Sequence, residues 1–315
     1  MTSSFIHPSV LLIVGALLLP LVQGPLRKPY LFLVPLLALG AVVLNTTLSG
    51  TFAVMPFLDW QLVLGRVDKL STVFALIMAV MAVIGTLYGL QVDRAGEHMA
   101  AWFYAAGSLG VIYSGDYLSL FLFWEMMAFA SVFLVWFRRG PQSLRIGYRY
   151  LLIHTIGGII LLAGILLRYQ AVGNITFDLM DVAHPQLYTW LIMIGFGLNA
   201  AMVPLHSWLP EAYSEASFNG AVFLCAFTTK TAVYTLARAC AGMEILVVLG
   251  VIMALYGVVY AVMENDIRKL LAWSIVSQVG YMVAGIGIGT DMAINGAVAH
   301  AVVHILYKSL LFMGT

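Results

Sequence analysis

Charge is what this sequence has least of. Its 315 residues include 15 Lys and Arg and 14 Asp and Glu, so 9% are charged against 62% apolar. A soluble domain carries about 25% charged residues, so there is too little polar surface here to keep a folded monomer in water. The two signs nearly cancel, at a net charge of +1, and no basic run stands clear of an apolar flank. That removes the electrostatic footprint of a nucleic-acid binder. Cysteine is nearly absent too: Cys225 and Cys240 lie in or beside an apolar stretch, without CxxC or Cys/His spacing. A disulfide framework, an iron–sulfur or zinc site and c-type haem attachment therefore lack their ligands, and no cofactor or metal is expected in this chain. Any redox chemistry it serves belongs to another chain. Finally, Ile6 to Val22 is apolar with no basic segment before it and no small-residue cleavage site after it. It reads as a retained first span rather than a signal peptide.

What the sequence does have is apolar runs long enough for a hydrocarbon core about 30 Å thick at 1.5 Å per residue. Eleven are expected, at 5–22, 30–48, 70–91, 99–115, 117–137, 149–168, 187–203 with a continuation to 215, 218–238, 244–263, 269–289 and 292–314. The fold class is then an all-α polytopic membrane protein. Between the second and third spans, FAVMPFLDWQLVLGRVD alternates weakly and reads as a hairpin on the membrane surface. Arg27, Lys28, Arg94, Arg138, Arg139, Arg145, Arg149, Arg268 and Lys269 fall on one side; Arg66, Lys69, Arg168 and Arg238 fall on the other. The richer side is expected to be cytoplasmic, which places the N-terminus outside an inner (cytoplasmic) membrane.

The same sorting isolates the charges left within spans. Thirteen of the 14 acids fall in loops, at helix ends or at a helix break, and only Glu125 is mid-span. The two remaining bases are Lys230, in the eighth span, and Lys308, in the last. A charge at that depth costs at least about 2.5–3.5 kcal/mol on insertion scales, so it faces a partner or a water-filled cavity. One such group could be half of a structural ion pair; a carboxylate and two lysines in a nearly charge-free domain favour a proton or ion path. In HAVVHILYK, His300, His304 and Lys308 repeat every four residues and share one helical face. Imidazole titrates near neutral pH, so the stripe suits a relay. Two histidines supply too few ligands for a metal. The seventh span is interrupted by VPLHSWLPEAYSEAS, where Pro204 and Pro210 predict a break near His206. Broken membrane helices mark transport sites, which makes His206 a candidate proton carrier and Asn199 a neutral polar group at similar depth. GIGIGT at 285–290 follows no strand and reads as a packing face or helix end rather than a nucleotide loop.

GDYLSLFLFWEMMAFASVFLVWF, MVPLHSWLPEAYSEAS, FTTKTAVYTLAR, NDIRKLLAWSIVSQVGYM and HAVVHILYKSLLFMGT, in that order, resemble the antiporter-like membrane subunits of respiratory complex I and of Mrp-type cation/proton antiporters. The likeness spans about Gly107 to Thr315, and the D-type Mrp subunits and the middle pumping subunits of complex I look similar. It implies two inverted five-helix repeats, each with a broken helix. Residues 1–96 would be N-terminal spans, 97–240 the first repeat and 241–315 the start of a second. The resemblance assigns the family's buried glutamate to Glu125, a central lysine to Lys230 and the relay to His300, His304 and Lys308. Two departures stand out. Where the family usually has a lysine paired with the glutamate, this chain has Asn199, so either Lys230 takes over that coupling or the first half-channel is altered. Family members also usually continue through the rest of the second repeat, which leaves a fragment, a split subunit and a natural short form open.

The expected function is a proton-translocating subunit of a complex I-like (NADH:quinone oxidoreductase) or Mrp-type assembly, with other membrane subunits, the bilayer and protons as partners. Secondary Na⁺/H⁺ exchange is the alternative, and a non-conducting scaffold is the alternative of another class. No catalytic or redox site is visible, so any oxidoreductase activity would belong to the whole complex.

Overall fold

The computed structural model describes residues 5–315 and is helical almost throughout. Helices α1 (Pro8–Leu18) and α2 (Arg27–Asn45) lead to strands β1 (Gly50–Phe57) and β2 (Trp60–Val67). There follow α3 (Lys69–Tyr88), α4 (Ala95–Tyr113), α5 (Tyr117–Trp136), α6 (Pro141–Val172), α7 (Leu187–Asn199), α8 (Trp208–Ser214), α9 (Phe218–Ala226), α10 (Thr228–Ala239), α11 (Glu244–Met263), α12 (Ile267–Ile288) and α13 (Asp291–Met313). Among the described residues eight helical stretches are long and apolar enough to cross a membrane, counting α9 and α10 as one, and α1 and α7 are shorter apolar helices. This is a polytopic membrane protein. The expected hairpin forms as an antiparallel pair, Gly50 opposite Val67 and Phe57 opposite Trp60.

Burial sorts the helices by role. The Phe218–Ala239 stretch is wholly enclosed, whereas more than half of the apolar window of α2, α6, α11 and α13 faces outward. Large exposed residues such as Leu152, Ile159, Leu255 and Val262 are what a lipid-facing surface requires, because lipid replaces water as their solvent. Without a hydrophobic drive between helices in lipid, close approach depends on small residues. Helices α11 and α12 meet this way: a Cβ on Gly250, Gly257 or Gly280 would strike the facing backbone. Gly289, at φ +75°, ends α12 in the left-handed conformation, so GIGIGT is a helix end.

The structure corrects three expectations. Only Pro204 falls in the break of the seventh span, between α7 and α8. Pro210 lies in the first turn of α8, where a helix needs no N–H from it. The eighth span is not continuous: Phe227 separates α9 from α10, three residues before Lys230. Arg238, sorted above with the bases that flank the spans on one side, is buried at the end of α10. Its guanidinium donates to both Asp68 oxygens, Nη1 to Oδ2 at 2.7 Å and Nη2 to Oδ1 at 2.8 Å.

Asp68 ties three elements together. Its side chain accepts from Ser71 N at 2.9 Å and caps α3, it holds α10 through Arg238, and it pairs with Arg66 of β2 at 3.3 Å. Arg66 continues to Asp178 at 2.8 Å. Burial alone would raise the Asp68 pKa, but the hydrogen bond and charge of Arg238, with Ser71 and Arg66, outweigh it and hold the carboxyl at about 2 instead of 3.8. A carboxyl depressed on folding stabilises fully above its unfolded value and loses that contribution as pH falls through the folded one. We therefore expect Asp68→Asn to melt below wild type at neutral pH in detergent. That gap should narrow as pH falls from about 4 toward about 2; a gap independent of pH would show that the charge contributes nothing.

Candidate functional site

The ionisable groups singled out within the spans fall into two clusters. In the first, Glu125 of α5 points at α6, where a Cβ on Gly158 would collide with its carboxylate. Glycine at 158 is thus a seat for Glu125, whose Oε1 is buried with no protein partner. One turn earlier on the same helix is His154, which is 2% exposed. Its Nδ1 lies 3.0 Å from Tyr150 O and its Nε2 has no protein partner. The imidazole stacks on Tyr150 with ring centroids 4.0 Å apart and meets the edge of Trp208 at 4.5 Å. Trp208 in turn donates from Nε1 to Leu198 O at 3.1 Å, a carbonyl at the end of α7 that also accepts from Ala201 N. Asn199, next to Leu198, is buried with its Nδ2 unpaired. His206, in the break itself, lies against Tyr256 of α11 and Trp273 of α12.

The second cluster surrounds the interruption at Phe227. Lys230 is fully buried and its Nζ donates to Cys225 O at 2.6 Å. The ammonium thus occupies a carbonyl left without its helical donor by the break. Cys225 Sγ lies 3.4 Å from Ser309 Oγ, which joins α9 to α13 beside Lys308. Lys308 Nζ donates to Ser274 Oγ at 2.7 Å, and His300 Nε2 lies 2.8 Å from Gln278 Oε1. Ser274 and Gln278 are themselves one turn apart on α12, so they match the spacing of the α13 stripe. His304, between its two neighbours, is buried with neither ring nitrogen partnered. None of the ion pairs among the described residues includes Glu125, Lys230 or Lys308.

Hydroxyl groups link the clusters, and hydropathy patterning carries no sign of them. Tyr150 Oη lies 2.8 Å from Ser131 Oγ and neighbours Thr228, whose Oγ1 is 2.6 Å from Tyr104 Oη. Thr228 precedes Lys230 by two residues, and Ser108 of α4 meets Thr231 at 2.6 Å. Thr229 Oγ1 and Tyr213 Oη are buried without protein partners. Buried polar atoms are normally satisfied, by ordered water where protein does not reach them. Glu125, His154, Asn199, Thr229, Tyr213 and His304 each carry a buried polar atom without a protein partner. Among the described residues, no three His, Cys, Asp or Glu are grouped to hold a metal ion.

A polytopic helical bundle with two helix interruptions and a row of buried carboxylate, imidazole, hydroxyl and ammonium groups defines the class of antiporter-like membrane proteins. The chain belongs to the NADH:quinone oxidoreductase/Mrp antiporter transmembrane family, whose model matches residues 114–315. It is 31% identical to hydrogenase-4 component B of Escherichia coli strain K12, over 86% of this chain and 45% of that protein. It is 34% identical to NADH-quinone oxidoreductase subunit N of Desulforudis audaxviator, over 66% of this chain and 45% of that one. The chain thus spans about half the length of the curated relatives it matches. Its fold resembles a chain of the Mrp complex from Dietzia sp. DQ12-45-1b with a TM-score of 0.85 at 22% identity, covering 97% of this chain and 62% of that one.

The contact between Glu125 and Gly158 makes a direct prediction. Gly158→Ala should displace the carboxylate and change the rate at which a hydrophobic carbodiimide modifies Glu125, read by peptide mass spectrometry. Gly157→Ala, whose methyl would meet only the flexible end of Leu198, should leave that rate unchanged. Equal rates in all three chains would mean that Gly158 does not seat the carboxylate.

Proposed function

We propose that this chain is a proton-translocating membrane subunit of a redox-linked or Mrp-type assembly, and that protons move laterally between its two clusters. The observation that carries the reading is the near-continuous set of polar side chains, partly unpaired and buried between the half-buried ends Glu125 and His300, in a largely apolar interior. Glu125 would take up a proton and exchange it, through water, with His154 Nε2. Tyr150, Thr228 and Tyr104 would orient the water that passes it toward Lys230. Lys230 and Lys308, joined through Cys225 and Ser309, would then repel one another when both are charged, so that loading one empties the other. His304 and His300 would lead the proton toward Gln278 and the outer part of α13. Asn199 cannot hold a proton, and in this scheme His154 is the proton carrier of the first cluster.

Eleven crossings fit the helices if α1, α4 and the broken pair α7–α8 are added to the eight long apolar stretches. The division into 1–96, 97–240 and 241–315 is part of the same proposal, as are partner membrane subunits, an inner-membrane location and an external N-terminus. The basic residues support that orientation: Arg66 and Arg238 gather at one end of the bundle around Asp68, whereas Arg94, Arg138 and Arg268 gather at the other. Likeness to the D-type component of the Na⁺/H⁺ antiporter of Alkalihalophilus pseudofirmus, 26% identical over 81% of this chain, favours Na⁺/H⁺ exchange as the second reading.

In inverted membrane vesicles holding the complete assembly, Glu125→Gln and Lys230→Met should each reduce proton translocation by about a hundredfold, the scale of losing a positioned acid or base. Sodium-dependent flux would select the exchange reading. Unchanged flux in both variants would leave a non-conducting scaffold as the function.

A further inference from the structure

A second site lies at the polar end of the bundle, away from the row of buried groups. A cavity of about 460 Å³ is lined by Arg94, Arg138, Arg268, Asn219, Asp93 and Glu97, with Phe137 in its wall. Its three guanidinium groups face two carboxylates on the wall; Glu97 is already engaged as acceptor for the Ser217 hydroxyl at 2.5 Å, Arg138 pairs with Glu215 at 3.6 Å through Nε, and Arg94 spends Nη1 on Phe137 O. Arg268 spends Nη1 on Ser214 O and Ala216 O, both at 3.2 Å, but its Nε and Nη2 are buried without partners. Asn219 is 2% exposed and neither atom of its amide has a protein partner. Unsatisfied donors of this kind on a cavity wall are costly unless an acceptor fills them.

Phe137 is also a wall of a second cavity, about 420 Å³, that runs along α4 and α5. This one is lined by Phe103, Met126, Phe129, Phe133 and other apolar residues. Phe129 and Phe133 are each about half exposed, so the groove opens to the bilayer. The charged cavity sits where α4 begins and α5 ends, at headgroup level, and Phe103 lies about 12 Å deeper along α4 at 1.5 Å per residue. A donor-lined cavity of headgroup size at one end of the bundle, sharing the Phe137 wall with an apolar groove along α4 and α5, has the charge order of one phospholipid.

We infer that this chain binds a phospholipid, its phosphate held by Arg268, Arg138, Arg94 and the Asn219 amide and one acyl chain lying in the groove between α4 and α5. The site is independent of proton transfer, since none of its residues belongs to the buried row.

The chain can be extracted in mild detergent with its co-purifying partners, stripped of lipid, and titrated by native mass spectrometry. The probes are phosphatidylglycerol, phosphatidylethanolamine and the phosphate-free diglucosyldiacylglycerol. Both phospholipids should bind, and the glycolipid about tenfold more weakly, the worth of one charged hydrogen bond. Arg268→Gln with Asn219→Leu should weaken only the phospholipids by a similar factor, and the exposed Arg94→Gln should do so more mildly without risk to folding. Phe133→Trp should weaken all three lipids, whereas Arg145→Gln, a basic residue elsewhere on the same face, should change nothing. Equal binding of the glycolipid, or no effect of both arginine variants, would overturn the phosphate site. Release of a partner chain by Phe133→Trp with lipid binding intact would assign the groove to a partner helix instead.

Discussion

The cost of placing an ionisable side chain inside a membrane protein governs this structure. An insertion penalty of a few kcal/mol per charge is too large to leave uncompensated, and three of the ionisable groups here have a visible answer to it. Lys230 reaches a carbonyl freed by a helix break, Lys308 a serine on the next helix, and His300 a glutamine one turn further along. Glu125 has only a steric seat at Gly158, and its Oε1, like both ring nitrogens of His304, has no protein partner. These answers come from neutral dipoles instead of opposite charges. A salt bridge would lock both partners in their charged forms, whereas a hydroxyl or carbonyl accepts either form of a proton carrier with less bias.

Helix breaks supply many of those dipoles. The gap between α7 and α8 brings Asn199, His206 and Trp208 to the interior, and the interruption at Phe227 presents Cys225 O to Lys230. Such backbone is tolerated at membrane depth only where protein or water meets it, and the α9–α10 stretch is fully enclosed. Outside this interior the rules are the ordinary ones for membrane helices: small residues where α11 meets α12, large aliphatics toward lipid, and ion pairs at the ends, as in the Asp68 cluster.

How much of this is legible in the sequence depends on whether the signal is local. The spans, the hairpin and the shared face of His300, His304 and Lys308 follow from hydropathy and a 3.6-residue period, and Pro204 announces the break. The interruption at Phe227 has no proline or glycine to mark it. His154, Tyr150, Tyr104 and Thr228 look like ordinary members of apolar helices because their relation exists only after α4, α5, α6 and α10 pack together. Ser274 and Gln278 do carry a readable signal, two polar residues one turn apart on an apolar helix. Arg238 reads only as a flanking base because its partner, Asp68, is far away in the sequence.

The central claim is that the two clusters form one electrostatic system although no ion pair joins them. Infrared spectroscopy of membranes with isotope-edited glutamate follows the protonated-carboxyl band of Glu125 through a pH titration, in wild type and in Lys230→Met. If the hydroxyl-lined interior couples the clusters, the midpoint of that titration moves when the distant ammonium is removed. A midpoint that stays in place, with Glu125 identified by loss of the band in Glu125→Gln, would contradict lateral coupling and leave two unrelated polar sites.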